Sequence, residues 1–214
     1  LFYFYIYVLM LIKVKFILFI MEIIVHRINT IKELNKIPFK YGVEVDIRAN
    51  GSKIILNHNP YKDGDSFEDY VANYKHGTLI LNIKESGIEK DVLEIVKSAS
   101  IKSFFFLDVE MPYIFSSLKK NNDIAIRFSE YESIETVKIF KNNFKWIFVD
   151  TVTKLPINVK NIPIISKFKS CLVCPERWGR KNDILKYKRF FKKIKYNPTA
   201  VMTNRKFAKL WESY

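Results

Sequence analysis

Histidines, carboxylates and cations follow one another at the ends of strand-like apolar runs in the first half of the chain. One such run ends in His26 and Arg27, the next carries Glu44 and Asp46, and a short third run leads to His58. Imidazole titrates at a pKa of about 6.5, so it can both accept and donate a proton near neutral pH. These residue types indicate acid–base chemistry on a substrate whose charge has to be offset.

The two carboxylates Glu44 and Asp46 lie two residues apart in an apolar run. Side chains alternate along a strand, so both would point to the same face, about 6.6 Å apart. Unpaired in an apolar interior, they would cost several kcal/mol. A divalent cation, Mg²⁺ or Ca²⁺, would remove that cost and prefers such oxygen ligands. The alternative is that the two carboxylates form ion pairs with Arg48 and Lys84 and hold no metal.

Two further segments supply polar groups to the same region. Residues 56–60 deliver His58 at the end of a short run that turns back from the preceding strand, with Asn-Gly at positions 50 and 51 as a hairpin signal. The next run contributes the amide oxygen of Asn82 and the ammonium group of Lys84.

Apolar, strand-like runs alternate with helix-periodic stretches from residue 21 to the C-terminus. The eight main runs are 22–26, 43–48, 79–84, 103–108, 124–128, 146–150, 170–174 and 200–203. The pattern predicts an α/β fold, a single small (β/α)8 TIM-type barrel with a β-hairpin insertion after the second strand. An open doubly wound sheet is the rival, but no Gly-rich phosphate loop follows the first run. In such a barrel the active site lies at the carboxyl ends of the strands.

The order His-Arg, Glu-x-Asp, His-x-Pro and x-Ile-Lys resembles the glycerophosphodiester phosphodiesterases, which share a barrel superfamily with the phosphatidylinositol-specific phospholipases C. The resemblance is densest over residues 21–85. It implies metal-assisted hydrolysis of a small phosphodiester, either a glycerophosphodiester or a phospholipid head group. By position it makes His26 and His58 the general acid–base pair and Arg27 and Lys84 the phosphate-binding cations. The metal ligands that it implies are Glu44, Asp46 and Asn82.

Three positions depart from the family pattern. Asn82 stands where the family usually has a metal-binding Glu, Asn59 replaces an Asp after the second histidine, and Ile28 replaces a Gly. Asn82 lowers the charge of the ligand set and should weaken cation binding. The alternative function is therefore a catalytically weakened barrel that binds a phosphorylated ligand or a partner without turnover.

The formal net charge of +14 would suit a polyanionic partner. Lys, Ile, Asn, Phe and Tyr are all abundant, which is typical of AT-rich codon usage, and no nucleic-acid module is visible. We therefore expect no nucleic-acid partner. The excess of Lys and Arg lies in residues 177–209, where attraction to an anionic membrane surface is an alternative to a solvated helix face. Residues 175–180, after the seventh run, are a candidate substrate-side loop in which Trp178 would cover the ligand.

Residues 1–20 form an apolar stretch interrupted by Lys13 and Lys15. Met21 stands directly before the first clean strand. We expect an upstream extension over residues 1–20, with a membrane segment as the alternative, and the barrel over residues 21–214. The expected location is cytoplasmic, or membrane-associated if residues 1–20 or the basic C-terminal third bind lipid. Only two cysteines are present, so burial rather than disulfide bonding has to stabilise the domain.

Overall fold

The computed structural model describes residues 21–118 and 122–212. Their strands are β1 (Glu22–Val25), β2 (Gly42–Asn50), β3 (Lys53–Leu56), β4 (Asp65–Ser66), β5 (Leu79–Ile83), β6 (Phe104–Leu107), β7 (Ala125–Phe128), β8 (Trp146–Val149), β9 (Lys169–Val173) and β10 (Ala200–Thr203). Their α-helices are α1 (Ile31–Leu34), α2 (Phe67–Ala72), α3 (Glu89–Ser98), α4 (Met111–Ser117), α5 (Ile134–Phe140), α6 (Ile162–Ile165), α7 (Asp183–Ile194) and α8 (Ala208–Glu212). Two 3₁₀ turns, Pro175–Trp178 and Arg205–Phe207, follow β9 and β10. The predicted alternation of strands and helices is confirmed.

Several helices begin where the sequence offers a side-chain cap. The hydroxyl oxygens of Thr30, Ser66 and Ser133 accept hydrogen bonds from backbone N–H groups in the first turns of α1, α2 and α5. Such caps satisfy donors that have no partner within the helix. Asn158 caps the turn before α6, because its side-chain oxygen accepts hydrogen bonds from the N–H groups of Lys160 and Asn161.

The parallel strands follow the order β6-β5-β2-β1-β10-β9-β8-β7. β6 and β7, the two ends of this order, meet through a single parallel bridge between Phe106 and Ile124. There the Phe106 N–H donates to the Asp123 carbonyl at 2.8 Å. β3 pairs with β2 in the antiparallel sense through a tight turn in which Gly51 has a φ of 61°. Positive φ favours glycine, which explains the Asn-Gly signal.

The two faces of the sheet pack in different ways. One face contributes to a large cluster with the helices, including Leu34, Val92 and Phe191. The other face carries a separate cluster of eleven buried side chains that come from the parallel strands alone, among them Ile24, Phe105 and Phe148. Among the described residues, no helix contributes a side chain to this second cluster. On β1, β5, β7 and β8 the alternation of side chains continues this second face into polar residues at the carboxyl end, namely His26, Asn82, Arg127 and Asp150.

None of the helices in the described part of the chain is long and apolar enough to cross a membrane. The extension expected over residues 1–20 lies outside the described residues.

Gly42, at the start of β2, lies close to β1 and to Thr78 in the segment before β5. A Cβ atom at this position would lie 2.3 Å from the backbone oxygen of Thr78 and 3.0 Å from a side-chain carbon of Ile24. We expect Gly42→Ala to lower the free energy of unfolding by about 2–4 kcal/mol, because the backbone has to move. Urea unfolding monitored by circular dichroism measures this effect.

The matched control is Gly51→Ala, where a Cβ atom would meet nothing within 4 Å but φ is positive. Its expected cost is about 1 kcal/mol, the strain of the left-handed conformation alone. Equal costs for the two variants would contradict the close packing at Gly42.

Candidate active site

Six of the seven predicted site residues lie together at the carboxyl ends of three neighbouring strands. They are His26 and Arg27 after β1, Glu44 and Asp46 within β2, and Asn82 and Lys84 at the end of β5. In the parallel register of β2 and β5, Asp46 lies opposite Asn82. In the register of β1 and β2, Val25 lies opposite Val43, so His26 follows β1 next to Glu44. The topology thus brings together segments that are up to 58 positions apart in the sequence.

The turn after β1 directs a backbone donor at Glu44. Arg27 has a φ of 57°, an unusual conformation for a non-glycine residue. In this conformation its N–H donates to Glu44 Oε2 at 2.7 Å. A hydrogen bond to an ionised carboxylate is strong enough to offset strain of about 1 kcal/mol. The backbone of the His-Arg motif therefore helps to hold the first carboxylate.

Glu44 is fully buried and accepts a second hydrogen bond, from Asn82 Nδ2 to Oε1 at 2.7 Å. Burial and the nearby negative charge of Asp46 raise the pKa of Glu44 to about 7. The Oε2 atom also lies 3.8 Å from His26 Nε2. Glu44 is thus poised between its charged and neutral forms at neutral pH.

Asp46 is also buried but is stabilised in its charged form. Its Oδ2 accepts from Asn29 Nδ2 at 2.8 Å and lies 3.3 Å from Arg27 Nε, and its Oδ1 lies 3.1 Å from Lys84 Nζ. Burial alone would raise its pKa, but the Asn29 hydrogen bond and the charges of Lys84 and Arg27 lower it below the ordinary value. The ion pair that was considered between the carboxylates and Lys84 is present, whereas Arg48 pairs with Glu85 instead.

His26 is mostly enclosed, with 17% of its side chain exposed, and Arg177 places its guanidinium against the imidazole Nε2. Burial, followed by the positive charges of Arg177 and Arg27, lowers the pKa of His26 to about 3. His26 is therefore neutral near pH 7, and the Arg177 guanidinium faces the acceptor lone pair on its Nε2.

His58 lies outside this set of contacts. Its Nδ1 is 2.9 Å from Asn59 Oδ1, and its backbone oxygen accepts hydrogen bonds from the Arg48 guanidinium at 3.2 and 3.3 Å. Arg48 also donates to the Lys84 backbone oxygen at 3.1 Å. Arg48 therefore ties the loop that carries His58 to the end of β5. The pairing of His58 with His26 in catalysis stays a prediction.

Sequence reasoning missed two contributors to this site. Asn29 both donates to the Asp46 carboxylate and accepts from the Asp46 N–H at 2.8 Å, yet nothing in the sequence distinguishes it from an ordinary loop residue. Arg177 comes from the loop after β9, 151 positions from His26. The loop itself was identified, but as a place for Trp178 to cover a ligand, and its guanidinium was not singled out.

The buried oxygens show whether a divalent cation suits these residues. Asn82 Oδ1 is buried without a hydrogen-bond donor from the described residues, and Asp46 Oδ1, on the paired position of the adjacent strand, has the Lys84 ammonium group 3.1 Å away. Carboxylate and amide oxygens are the ligands that Mg²⁺ and Ca²⁺ prefer. Within the described residues no group of three or more His, Cys, Asp or Glu side chains is arranged to hold a metal ion. The predicted set has only two carboxylates and one amide, so it fits by donor type but carries little charge.

The fold is that of the glycerophosphodiester phosphodiesterases. A putative glycerophosphoryl diester phosphodiesterase of Agrobacterium tumefaciens is similar at a TM-score of 0.66 and 11% identity, over 91% of this chain and 98% of that one. A phosphodiesterase of Oleispira antarctica, solved with the product sn-glycerol-3-phosphate, gives a TM-score of 0.65 and 14% identity over 92% and 98% of the two chains. A Parabacteroides distasonis glycerophosphoryl diester phosphodiesterase gives 0.60 and 14% over 91% and 86%. No family model and no curated protein matches the sequence.

The guanidinium group of Arg48 should hold the loop that carries His58, because it donates hydrogen bonds to the backbone oxygens of both His58 and Lys84. Arg48→Lys keeps the charge but cannot bridge two backbone oxygens in the same way. We expect amide hydrogen exchange in residues 57–61 to accelerate about tenfold while exchange in β5 stays unchanged. Hydrogen exchange followed by mass spectrometry measures both segments in one experiment. Unchanged protection of residues 57–61 would show that Arg48 does not hold the loop.

The raised pKa of Glu44 makes stability depend on pH. The folded state binds the proton of the Glu44 carboxyl more tightly than the unfolded state does. The stabilising contribution of protonated Glu44 to the free energy of unfolding is therefore fully present below about pH 4.5 and is lost as pH rises to about 7. In buffer with a chelator, the free energy of unfolding of the wild type should fall by on the order of 3 kcal/mol across this pH interval, relative to that of Glu44→Gln. Parallel urea titrations at several pH values measure the difference, and parallel curves for the two proteins would contradict it.

Proposed function

We propose that this chain is a metal-dependent phosphodiesterase that hydrolyses a glycerophosphodiester or a phospholipid head-group diester by acid–base catalysis with His26 and His58. The observation that carries the proposal is the contact set joining His26, Arg27, Glu44, Asp46 and Lys84 at the carboxyl ends of neighbouring strands. The fold supports it, since the solved structures with this fold are named as phosphodiesterases. We also propose that the strands form a closed barrel of one domain, with the single β6–β7 bridge completing the ring.

The cations of the site would receive the phosphodiester. Arg27 is 41% exposed on its side chain and Lys84 is 17% exposed, so both ammonium and guanidinium groups can reach a ligand while they contact Asp46. Fixed positive charges in a partly enclosed site stabilise the negative charge that develops in the transition state.

The two histidines divide the proton transfers. His26 is neutral and its imidazole is the group that accepts a proton from the attacking hydroxyl or water. A bound phosphodiester places a negative charge near Arg177 and Arg27, which would offset the effect that depresses the pKa of His26. His58 is the group that would return a proton to the leaving alkoxide.

Glu44, Asp46 and Asn82 would hold the divalent cation, Mg²⁺ or Ca²⁺. The bound cation would supply further stabilisation of charge on the phosphoryl oxygens. The bound cation would also neutralise the negative charges of the two buried carboxylates.

A second candidate function is binding of a phosphorylated ligand without turnover. It is favoured by the fact that both carboxylates already have protein partners: Glu44 accepts from Asn82, and Asp46 pairs with Lys84 and Arg27. Carboxylates that are satisfied in this way gain less from a metal ion.

Hydrolysis of bis(p-nitrophenyl) phosphate by the full chain, after chelation and readdition of Mg²⁺, Ca²⁺ or Mn²⁺, distinguishes the two functions. We expect metal-dependent turnover that falls by a factor of about 10²–10⁴ in His26→Ala and in His58→Ala, the usual contribution of a general acid or base. His76→Ala is the matched control, because the third histidine hydrogen-bonds to the Ile37 backbone oxygen, away from the site. Its turnover should equal that of the wild type.

Phosphate-ester binding without turnover under any of the three metals would support the second function. Turnover that survives in His58→Ala would contradict the role of His58 alone.

A further inference from the structure

A cavity of about 490 Å³ opens beside His26, on the side of the site formed by the loops after β9 and β10. Four cationic side chains line it: Arg27, Arg177, Lys181 and Lys206. The lining has a single carboxylate, that of Glu176. A phosphodiester carries one negative charge, so it would leave most of this positive charge without a counter-charge.

Three of these cations have no carboxylate partner in the part of the chain that the structure describes. Within residues 21–118 and 122–212, no ion pair with Asp or Glu joins Arg177, Lys181 or Lys206, and the contacts of Arg177 and Lys206 are to rings. Other basic residues at the same end of the fold are paired: Arg127 contacts Asp108 and Asp150, and Arg180 pairs with Asp183. Like charges gathered at one cavity without counter-charges favour an anionic ligand.

The two loops that carry these cations are held rigidly. Glu176 Oε1 accepts from the Thr203 hydroxyl at 2.7 Å and from the Asn204 N–H at 3.0 Å, which links the turn after β9 to the turn after β10. On the other side, Trp178 Nε1 donates to Asp150 Oδ1 at 3.0 Å. Cations on fixed loops bind a ligand at a lower entropic cost than cations on mobile ones.

Glu176 adds an observation that is independent of the positive charge. Its Oε2 atom is buried and accepts no hydrogen bond from the described residues. An unsatisfied buried acceptor costs about 1–3 kcal/mol, so a donor from a ligand would be favourable there. A hydroxyl group on the ligand is such a donor.

We propose that this cavity binds the alcohol portion of the substrate and selects an alcohol that carries a second anionic group, a carboxylate or a phosphomonoester. Arg177, Lys181 and Lys206 recognise the anionic group, and Glu176 accepts a hydrogen bond from a hydroxyl of the same alcohol. The inference rests on the proposed phosphodiesterase function for the cleaved bond and adds the substrate class.

Three glycerol phosphodiesters whose second alcohols share a three-carbon chain test the selection. Their second alcohols are 3-hydroxypropionate, propanol and 3-aminopropanol, which end in a negative, a neutral and a positive group. Release of glycerol 3-phosphate gives kcat/KM, and calorimetry gives Kd for the same compounds. We expect kcat/KM for the anionic diester to exceed that for the neutral one by about tenfold, the combined effect of two or three exposed ion pairs, and the cationic diester to rank last.

The variant Lys181→Gln/Lys206→Gln should lower the ratio of anionic to neutral kcat/KM at least fivefold. Lys192→Gln/Lys193→Gln is the matched control, since it removes two charges from exposed positions on α7 that do not line the cavity. Its ratio should equal that of the wild type. An equal fall in both variants would show that the preference comes from net charge and would overturn the proposal.

The two measurements separate this proposal from the proposed function. Turnover of all three diesters at equal kcat/KM would leave the phosphodiesterase function standing and overturn the anionic subsite. Anionic preference in Kd without turnover would support the subsite and overturn the function. Absence of both would overturn both. Placing the 3-hydroxypropionate head group on a phospholipid in vesicles then distinguishes a lipid source from a soluble diester, and preference in either form supports the subsite.

Discussion

Two carboxylates buried side by side on β2 are the constraint on which the rest of the site depends. Glu44 and Asp46 are both 0% exposed, and neither could remain charged in the interior without nearby donors. The surrounding segments supply those donors: the left-handed turn at Arg27 directs its N–H at Glu44, and Asn29 holds Asp46 from two sides. Lys84 completes the compensation from the adjacent strand. The conformation after β1 and the polar end of β5 therefore both follow from the charge on β2.

The same electrostatics extend from the carboxylates to the opposite side of the cavity. His26 lies between Glu44 on one side and Arg177 on the other. Arg177 is carried by a turn that Glu176 and Trp178 fix to the ends of β10 and β8. Strands far apart in the sequence thus act on one imidazole, and its low pKa is a property of the assembled sheet and its loops rather than of the His-Arg motif.

The sequence predicted what depends on local periodicity and on strand ends. Strand alternation placed Glu44 and Asp46 on one face, and the carboxyl-end rule for parallel strands brought Asn82 and Lys84 to them. It could not predict the contact of Arg177 with His26, because the geometry of the turn after β9 depends on tertiary hydrogen bonds. It also could not predict that Arg48 would hold the His58 loop by backbone oxygens rather than pair with the carboxylates of β2.

The amides of Asn59 and Asn82 stand where the pattern that the sequence resembles has carboxylates, and they differ from carboxylates in charge more than in geometry. Asn59 Oδ1 can only accept, so at 2.9 Å it assigns a hydrogen to His58 Nδ1 and orients the ring, as a carboxylate at that position would. Asn82 donates to Glu44 through Nδ2 and leaves Oδ1 without a donor. Each amide keeps an acceptor oxygen and lacks one negative charge. Both positions therefore present an acceptor oxygen from well-placed strands and turns while adding no negative charge to the two buried carboxylates.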